Sequence, residues 1–366
     1  MPLRDASTLT QAGAFAVLAL LVTLLANALH PHGLELTRDY FPAGGEAPAG
    51  GGLPEHSFGT IDWTELSDIA EFARGERPDV MLLDARSAGA YGVAHLPGAW
   101  HVDPYRVEDT LPALLPELQR EDLFYIVVYC RGGDCEDSLS LAHELVYRRG
   151  LPLEVVRVYE GGVLDWAANG GPLVSGAERD GPAVDPAAWA DPEGDAAQSG
   201  GGSGEPLALA FPLAALLLAW ALRPGLRPRL LPVLAWAAAA VLAVFAAAKL
   251  GDPAVFLKAV HGYGVLPLDP PWLLNLAGAG VPWMEVLAVL CLVSGLLRRG
   301  AAAVLGGFLA LFTVTILWRA VDEAGGGFLT YAFDCGCGTG VVVVWQKVLS
   351  NLVLFGTLAL VARRRN

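Results

Sequence analysis

The sequence predicts two architectures in one chain: an α/β soluble domain, followed by an all-α transmembrane helical bundle. Three observations predict this. Hydrophobic residues make up 54% of the 366, well above an ordinary soluble composition. The apolar residues of the second half fall in long runs, whereas the acids behind the net charge of −14 crowd the region before residue 200. Between about residues 60 and 170, short apolar runs alternate with helix-period segments, the pattern of parallel strands joined by crossover helices. No basic patch carries interleaved aromatics, so nucleic acid is not an expected partner.

The chain opens on an apolar run over 12–28 with Arg4 ahead of it. It reads as a signal anchor, or, since Ala26-Asn27-Ala28 has a small-x-small pattern, as a cleaved signal peptide. Either reading assigns residues 1–31 to targeting and puts the next domain outside the cytoplasm. No cysteine follows the run, which argues against a lipoprotein. Residues 32–57, rich in Gly, Pro and Ala, read as a tether. Asp62-Trp63-Thr64-Glu65 has the form of a capping box and opens the first helix of a domain spanning 58–169. Residues 170–206 read as a flexible linker with a reach of roughly 30 Å.

The stretch Val128-Tyr129-Cys130-Arg131-Gly132-Gly133-Asp134-Cys135 organises the soluble domain. An apolar run from Leu123 to Tyr129 arrives as a buried strand, and a helix follows with apolar positions at Leu139, Ala142, Leu145 and Val146. A cysteine between strand end and helix start meets unpaired backbone N–H groups, which favour the thiolate. Gly132 and Gly133 permit the angles that aim such groups at one centre. The competing reading is a glycine-rich turn with a buried, inert thiol.

Upstream lie Asp84-Ala85-Arg86, Tyr91 and His95-Leu96-Pro97-Gly98-Ala99; downstream lie Glu160-Gly161-Gly162 and Trp166. This order resembles a single rhodanese domain over about residues 60–168. The resemblance implies that Cys130 is the sulfur-carrying nucleophile, forming a persulfide, with Arg131, Gly132, Gly133 and Asp134 as its active-site loop. Asp84, Arg86, His95, Gly161 and Gly162 would be structural. The family loop often reads C-R-x-G-x-R; here Cys135 stands in the place of the second arginine. Asp134, Glu136 and Asp137 make the loop acidic, which repels thiosulfate. Cys135 instead suggests a resolving thiol.

Apolar runs over 207–222, 230–248, 281–297, 301–318 and 341–361 predict spans, the first of them short and interrupted by Pro212. The arginine clusters at 223–229, 298–299 and 363–365 fall on one side if every span crosses, and Arg4 joins them. The expectation is therefore six spans, or five after cleavage, in a bacterial cytoplasmic (inner) membrane, with the C-terminus cytoplasmic and the soluble domain extracytoplasmic. The lipid bilayer is then a partner in itself.

The five cysteines fall as two close pairs and a lone Cys291, which reads as packing. The second pair, Cys335 and Cys337, lies in a C-G-C-G loop before the last span. It reads as a strained redox pair, with a glycine turn or half of a soft-metal site as alternatives. Full ligand sets are lacking, so no metal is expected. His95, His101 and His261 read as local hydrogen-bonding residues. Glu285, near the start of the 281–297 span, has Lys249 as an expected partner; a solvated helix-end carboxylate is the alternative.

Lys249-Leu250-Gly251-Asp252-Pro253, Tyr263, Pro282-Trp283-Met284-Glu285, the C-G-C-G loop, Trp345 and Asn351 together resemble the methylamine-utilisation protein MauE, within the broader DoxX-like group. The resemblance covers about residues 230–361. It implies thiol–disulfide or electron traffic in the maturation of a disulfide-rich dehydrogenase subunit. The resulting expectation is a membrane-anchored thiol/sulfur relay, acting as a sulfurtransferase or thiol–disulfide oxidoreductase. Catalysis would rest on Cys130, Cys135, Cys335 and Cys337. Its partners would be a sulfur donor or a periplasmic thiol/disulfide protein. No cofactor motif is present, and a quinone enters only by analogy with other membrane thiol oxidases. The alternative is a silent adaptor on a membrane scaffold for periplasmic protein maturation.

Overall fold

The computed structural model describes residues 6–42, 53, 55–74, 78–133, 135–189, 191, 205–334 and 341–363. It divides into two compact units, Met1–Arg38 with Ala196–Asn366, and Asp39–Asp195. The first begins with helix α1 (Thr8–Leu29), capped by Ser7, whose hydroxyl accepts from Thr10 N–H.

The second unit is built on a five-stranded sheet of order β1-β5-β4-β2-β3. Its strands are β1 (Gly59–Thr60), β2 (Val80–Asp84), β3 (Trp100–His101), β4 (Tyr125–Tyr129) and β5 (Val156–Tyr159). Every pairing is parallel. β2 is buried throughout and β4 nearly so, which is why both read as continuous apolar runs. Side chains alternate between two cores: Met81, Leu83, Ile126 and Val128 on one face, Leu82, Val127 and Tyr129 on the other. Asp84 pairs in register with Tyr129, and Tyr129 with Tyr159. The residues that follow each strand therefore gather at the C-terminal edge of the sheet, where open α/β sheets place their sites.

Helices α2 (Trp63–Ile69), α3 (Ala88–Val93), α4 (Val107–Leu118), α5 (Asp137–His143) and α6 (Gly162–Ala168) connect the strands. Asp62 caps α2 by accepting from Glu65 N–H at 2.9 Å, and Ser87 caps α3. A small antiparallel pair, β6 (Leu173–Val174) and β7 (Ala183–Val184), closes the unit.

The unit reaches beyond 58–169 at both ends. Tyr40 and Phe41 are buried, with ring centroids 6.1 and 5.9 Å from that of Tyr105. At the other end, Leu173 and Trp189 pack on the core beneath β4 and β5. The flanking composition is that of a linker, but a few large apolar residues in it are enough to dock it.

The other unit continues with α7 (Glu205–Leu222), α8 (Arg227–Leu250), α9 (Pro253–Gly262), α10 (Pro271–Ser294) and α11 (Arg298–Ala324). It ends in a hairpin of β8 (Ala332–Asp334) and β9 (Val341–Val343), then α12 (Val344–Arg363). Among the described residues, five helices are long and apolar enough to cross a membrane: Thr8–Leu29, Arg229–Leu250, Pro271–Ser294, Arg298–Val321 and Val344–Arg363. The apolar part of α7, Ala210–Leu222, is shorter.

α10 differs from the expected 281–297 span. It starts at Pro271, a residue type pre-organised for the first turn, and carries Pro282 in its interior. It stops at Gly295, whose φ of 74° is a left-handed C-cap. Glu285 consequently lies well inside the helix.

α1 is packed into this unit. Phe15 is fully buried in its core, and the buried Gln11 side chain accepts from Arg299 N–H at 3.2 Å and Gly300 N–H at 3.3 Å. The chain just after α1 is tied down by Asn275, whose Nδ2 donates to the carbonyls of Glu35, Leu36 and Arg38.

Candidate functional site

Cys130 follows the last residue of β4 and is 1% exposed. Its thiol donates to the carbonyl of Cys135 at 2.9 Å and lies 3.4 Å from Ser138 Oγ. The loop thus turns back so that Cys135, half-buried, meets Cys130. Burial alone pushes the Cys130 thiol up. Hydrogen bonds from the Cys135 side chain, Ser138 and the Gly132 N–H outweigh it against the opposing charge of Asp137, and the pKa falls below its ordinary value. Hydrogen bonds donated to a sulfur favour its thiolate and lower its pKa, while the Cys135 carbonyl accepts from the thiol form.

The glycines hold the loop in place by close approach. Gly132 has φ of 98°, and a Cβ on it would lie 2.0 Å from the carbonyl oxygen of Gly161. Gly162, at φ 59°, would bring a Cβ to 2.4 Å from Gly132 N. The loop after β4 and the turn after β5 interlock backbone to backbone, and neither tolerates a side chain. The first N–H groups of α6 complete the joint: Val163 donates to the Cys130 carbonyl at 3.0 Å and Leu164 to that of Arg131 at 3.1 Å. These donors, orphaned in any helix, here fix the cysteine loop.

The other residues singled out in this domain sit around that joint. Asp84 and Arg86 form a buried bidentate pair, with Arg86 Nη2 2.5 Å from Asp84 Oδ2 and Nε 3.0 Å from Oδ1. Arg86 also donates to the Ala94 carbonyl at 2.7 Å, tying β2 to the turn after α3. His95 has Nδ1 2.8 Å from the Tyr91 carbonyl and Nε2 3.1 Å from that of Glu178. His101 Nε2 lies 2.8 Å from the Arg86 carbonyl. Asp134 lies outside the described residues.

Two contacts at the loop have no counterpart in the sequence reading. Arg131 Nε donates to Asp191 Oδ2 at 2.7 Å, so a residue from the far end of the unit holds the loop's cation. Tyr105 Oη donates to Asp137 Oδ1 at 3.0 Å, while Tyr40 stacks on the Tyr105 ring. Nothing in the spacing of Asp191 or Tyr40 marks them as loop neighbours.

Residues 70–169 match the model of the rhodanese-like domain family, and residues 227–363 match that of methylamine utilisation protein MauE. The chain fuses a rhodanese-like domain to a MauE domain. No curated protein and no solved structure matches it. With the apolar helices, the MauE domain makes this a membrane protein, and the rhodanese-like domain gives it a sulfur- or redox-related role.

In the MauE domain, Lys249 Nζ lies 2.6 Å from Glu285 Oε1, and both residues are 7% exposed. The pair joins α8 to α10. Lys347 of α12 is 2% exposed, with its Nζ 4.7 Å from the centroid of the Phe245 ring. In the sequence its only signal is a lysine interrupting the last apolar run. Cys291 is buried among apolar neighbours. Cys335 and Cys337 fall outside the described residues, between the strands of the β8–β9 hairpin. Among the described residues, no group of three or more His, Cys, Asp or Glu side chains is arranged to hold a metal.

Proposed function

We propose that this protein is a membrane-anchored, extracytoplasmic thiol/sulfur relay with Cys130 as its nucleophile. One observation carries the reading: a buried thiol sits at the C-terminal edge of a parallel sheet, 2.9 Å from the carbonyl oxygen of a second cysteine, with hydrogen bonds around it that lower its pKa. The Cys130 thiolate would attack the outer sulfur of a persulfide or polysulfide donor. An S–S bond forms, and the donor's inner sulfur leaves with the bonding electron pair. The Cys135 thiolate would then attack the inner sulfur of the Cys130 persulfide. That step makes the Cys130–Cys135 disulfide and releases hydrosulfide, so the two thiols are oxidised as the sulfane sulfur is reduced. Thiol–disulfide exchange with Cys335 and Cys337, or with a periplasmic thiol protein, would restore the dithiol.

The arginine clusters support a cytoplasmic C-terminus and an outward-facing rhodanese-like domain in a bacterial inner membrane. The test uses the full chain in detergent, treated with a persulfide donor and then digested. One extra sulfur on the Cys130 peptide of Cys135→Ser, which cannot resolve the persulfide, and hydrosulfide release from the wild type are expected; both are absent in Cys130→Ser. No added sulfur in Cys135→Ser together with no hydrosulfide from the wild type overturns sulfur transfer. Trapping the thiols in membranes tests the relay, which fails if Cys335→Ser and Cys337→Ser leave the Cys130–Cys135 redox state unchanged.

A second reading is an adaptor without turnover. The Arg131–Asp191 ion pair favours it, because the loop's cation is already engaged within the domain.

A further inference from the structure

The MauE domain encloses a cavity of about 180 Å³, a little larger than the apolar chambers of about 150 Å³ that hold one benzene ring. Its walls are apolar and rich in rings: Phe245, Phe256, Tyr263, Phe308 and Phe312 all line it. Such faces suit a planar ligand ring. Leu311 and Val265 also line it and are 60% and 46% exposed. One wall therefore opens on the apolar outer surface of the bundle, the side a lipid-soluble molecule would enter from.

The wall also carries Lys249, Glu285 and Lys347. Lys249 satisfies one carboxylate oxygen of Glu285, while the other, Oε2, is buried and has no hydrogen-bond partner among the described residues. A buried carboxylate oxygen without a donor is costly. The group that would satisfy it is a ligand hydroxyl. A fatty-acid carboxylate would instead bring a second anion against Glu285.

We propose that this cavity binds the ring of a lipid-soluble hydroquinone, with one hydroxyl donating to Glu285 and the other oxygen accepting from a lysine ammonium. The inference stands on the MauE cavity alone and is independent of the chemistry at Cys130.

The experiment is calorimetric titration of the full chain in phosphatidylcholine nanodiscs with a decyl benzohydroquinone. Saturable binding at one site per chain is expected. Capping both hydroxyls as methyl ethers removes the donor and should weaken binding about tenfold or more. Thr315→Trp fills the cavity without touching the three charged side chains, and should weaken binding by a similar factor while leaving the melting temperature in place. Glu285→Leu should erase the difference between the hydroquinone and its ether. Absence of saturation overturns the proposal, as does binding that ignores Thr315→Trp, which would be partition into lipid. Equal affinity for the ether, or saturable binding of oleate where the hydroquinone fails, also overturns it.

Discussion

As the proposed nucleophile, Cys130 would hold negative charge where water does not reach. Burial opposes the thiolate, and the Ser138 hydroxyl, the Gly132 N–H and the Cys135 side chain favour it. Because the donors prevail, the folded protein binds a proton at this sulfur less tightly than a free cysteine does. The rate of Cys130 alkylation should therefore rise with pH through a midpoint below the ordinary thiol value of about 8.5. Ser138→Ala removes one donor and leaves the burial. Its midpoint should move upward by roughly 1–2 pH units, the worth of one hydrogen bond to a charged acceptor. Alkylation rates followed by peptide mass against pH check this; an unchanged midpoint would mean that Ser138 is a packing residue.

The cysteine loop and the turn after β5 act as one element. Gly132→Ala would place a Cβ against the Gly161 carbonyl at a positive φ, so strain and clash add. A loss of roughly 2–4 kcal/mol is expected, read as a lower denaturant midpoint with an unchanged slope. Both glycine pairs were legible in the sequence, since the glycines themselves mark where backbone approaches backbone. The parallel strands were legible for a similar reason: their buried faces leave no room for polar residues. The Arg131–Asp191 pair was not legible. It joins residues sixty positions apart in sequence, through a segment whose composition is that of a linker, and no local pattern encodes such a contact. Its effect is open to measurement. Asp191→Asn keeps the shape and releases the guanidinium charge. Sulfur transfer from thiosulfate should then rise about 1.5-fold to fivefold in kcat/KM, the size of a partly exposed ion pair, with no change for a neutral polysulfide donor. A response common to both donors would show that Asp191 acts on the fold and not on anion access. In the membrane helices, hydropathy located the spans but not their ends: the start of α10 is set by Pro271 and its stop by Gly295, and only that register carries Glu285 into the interior beside Lys249.

At the scale of the whole molecule, the chain is two units with separate cores, and the border falls at Arg38 and Asp39. Composition favours a later start for the soluble domain, near residue 58, because the intervening stretch is rich in Gly, Pro and Ala. Yet Tyr40 and Phe41 are 6% and 4% exposed, and both rings rest on Tyr105, whose hydroxyl holds Asp137 at the start of α5. The Ser140 hydroxyl of the same helix donates to the Tyr40 carbonyl at 3.4 Å. Tyr40 and Phe41 are thus part of the wall behind the cysteine loop. Burying two aromatic side chains is worth about 3 kcal/mol or more, a large share of what a domain of this size has in hand. A fragment of residues 39–195 should fold on its own and keep the Cys130 alkylation midpoint of the full chain. A fragment starting at residue 53 should melt roughly 6–15 °C lower, and its midpoint should drift because Asp137 and Ser138 lose their backing. Tyr40→Ala with Phe41→Ala in the longer fragment should reproduce both effects, which separates the loss of these two rings from the loss of chain length. If the two fragments melt together, the rings add nothing to the fold, and the cysteine loop is held by the glycine joint alone.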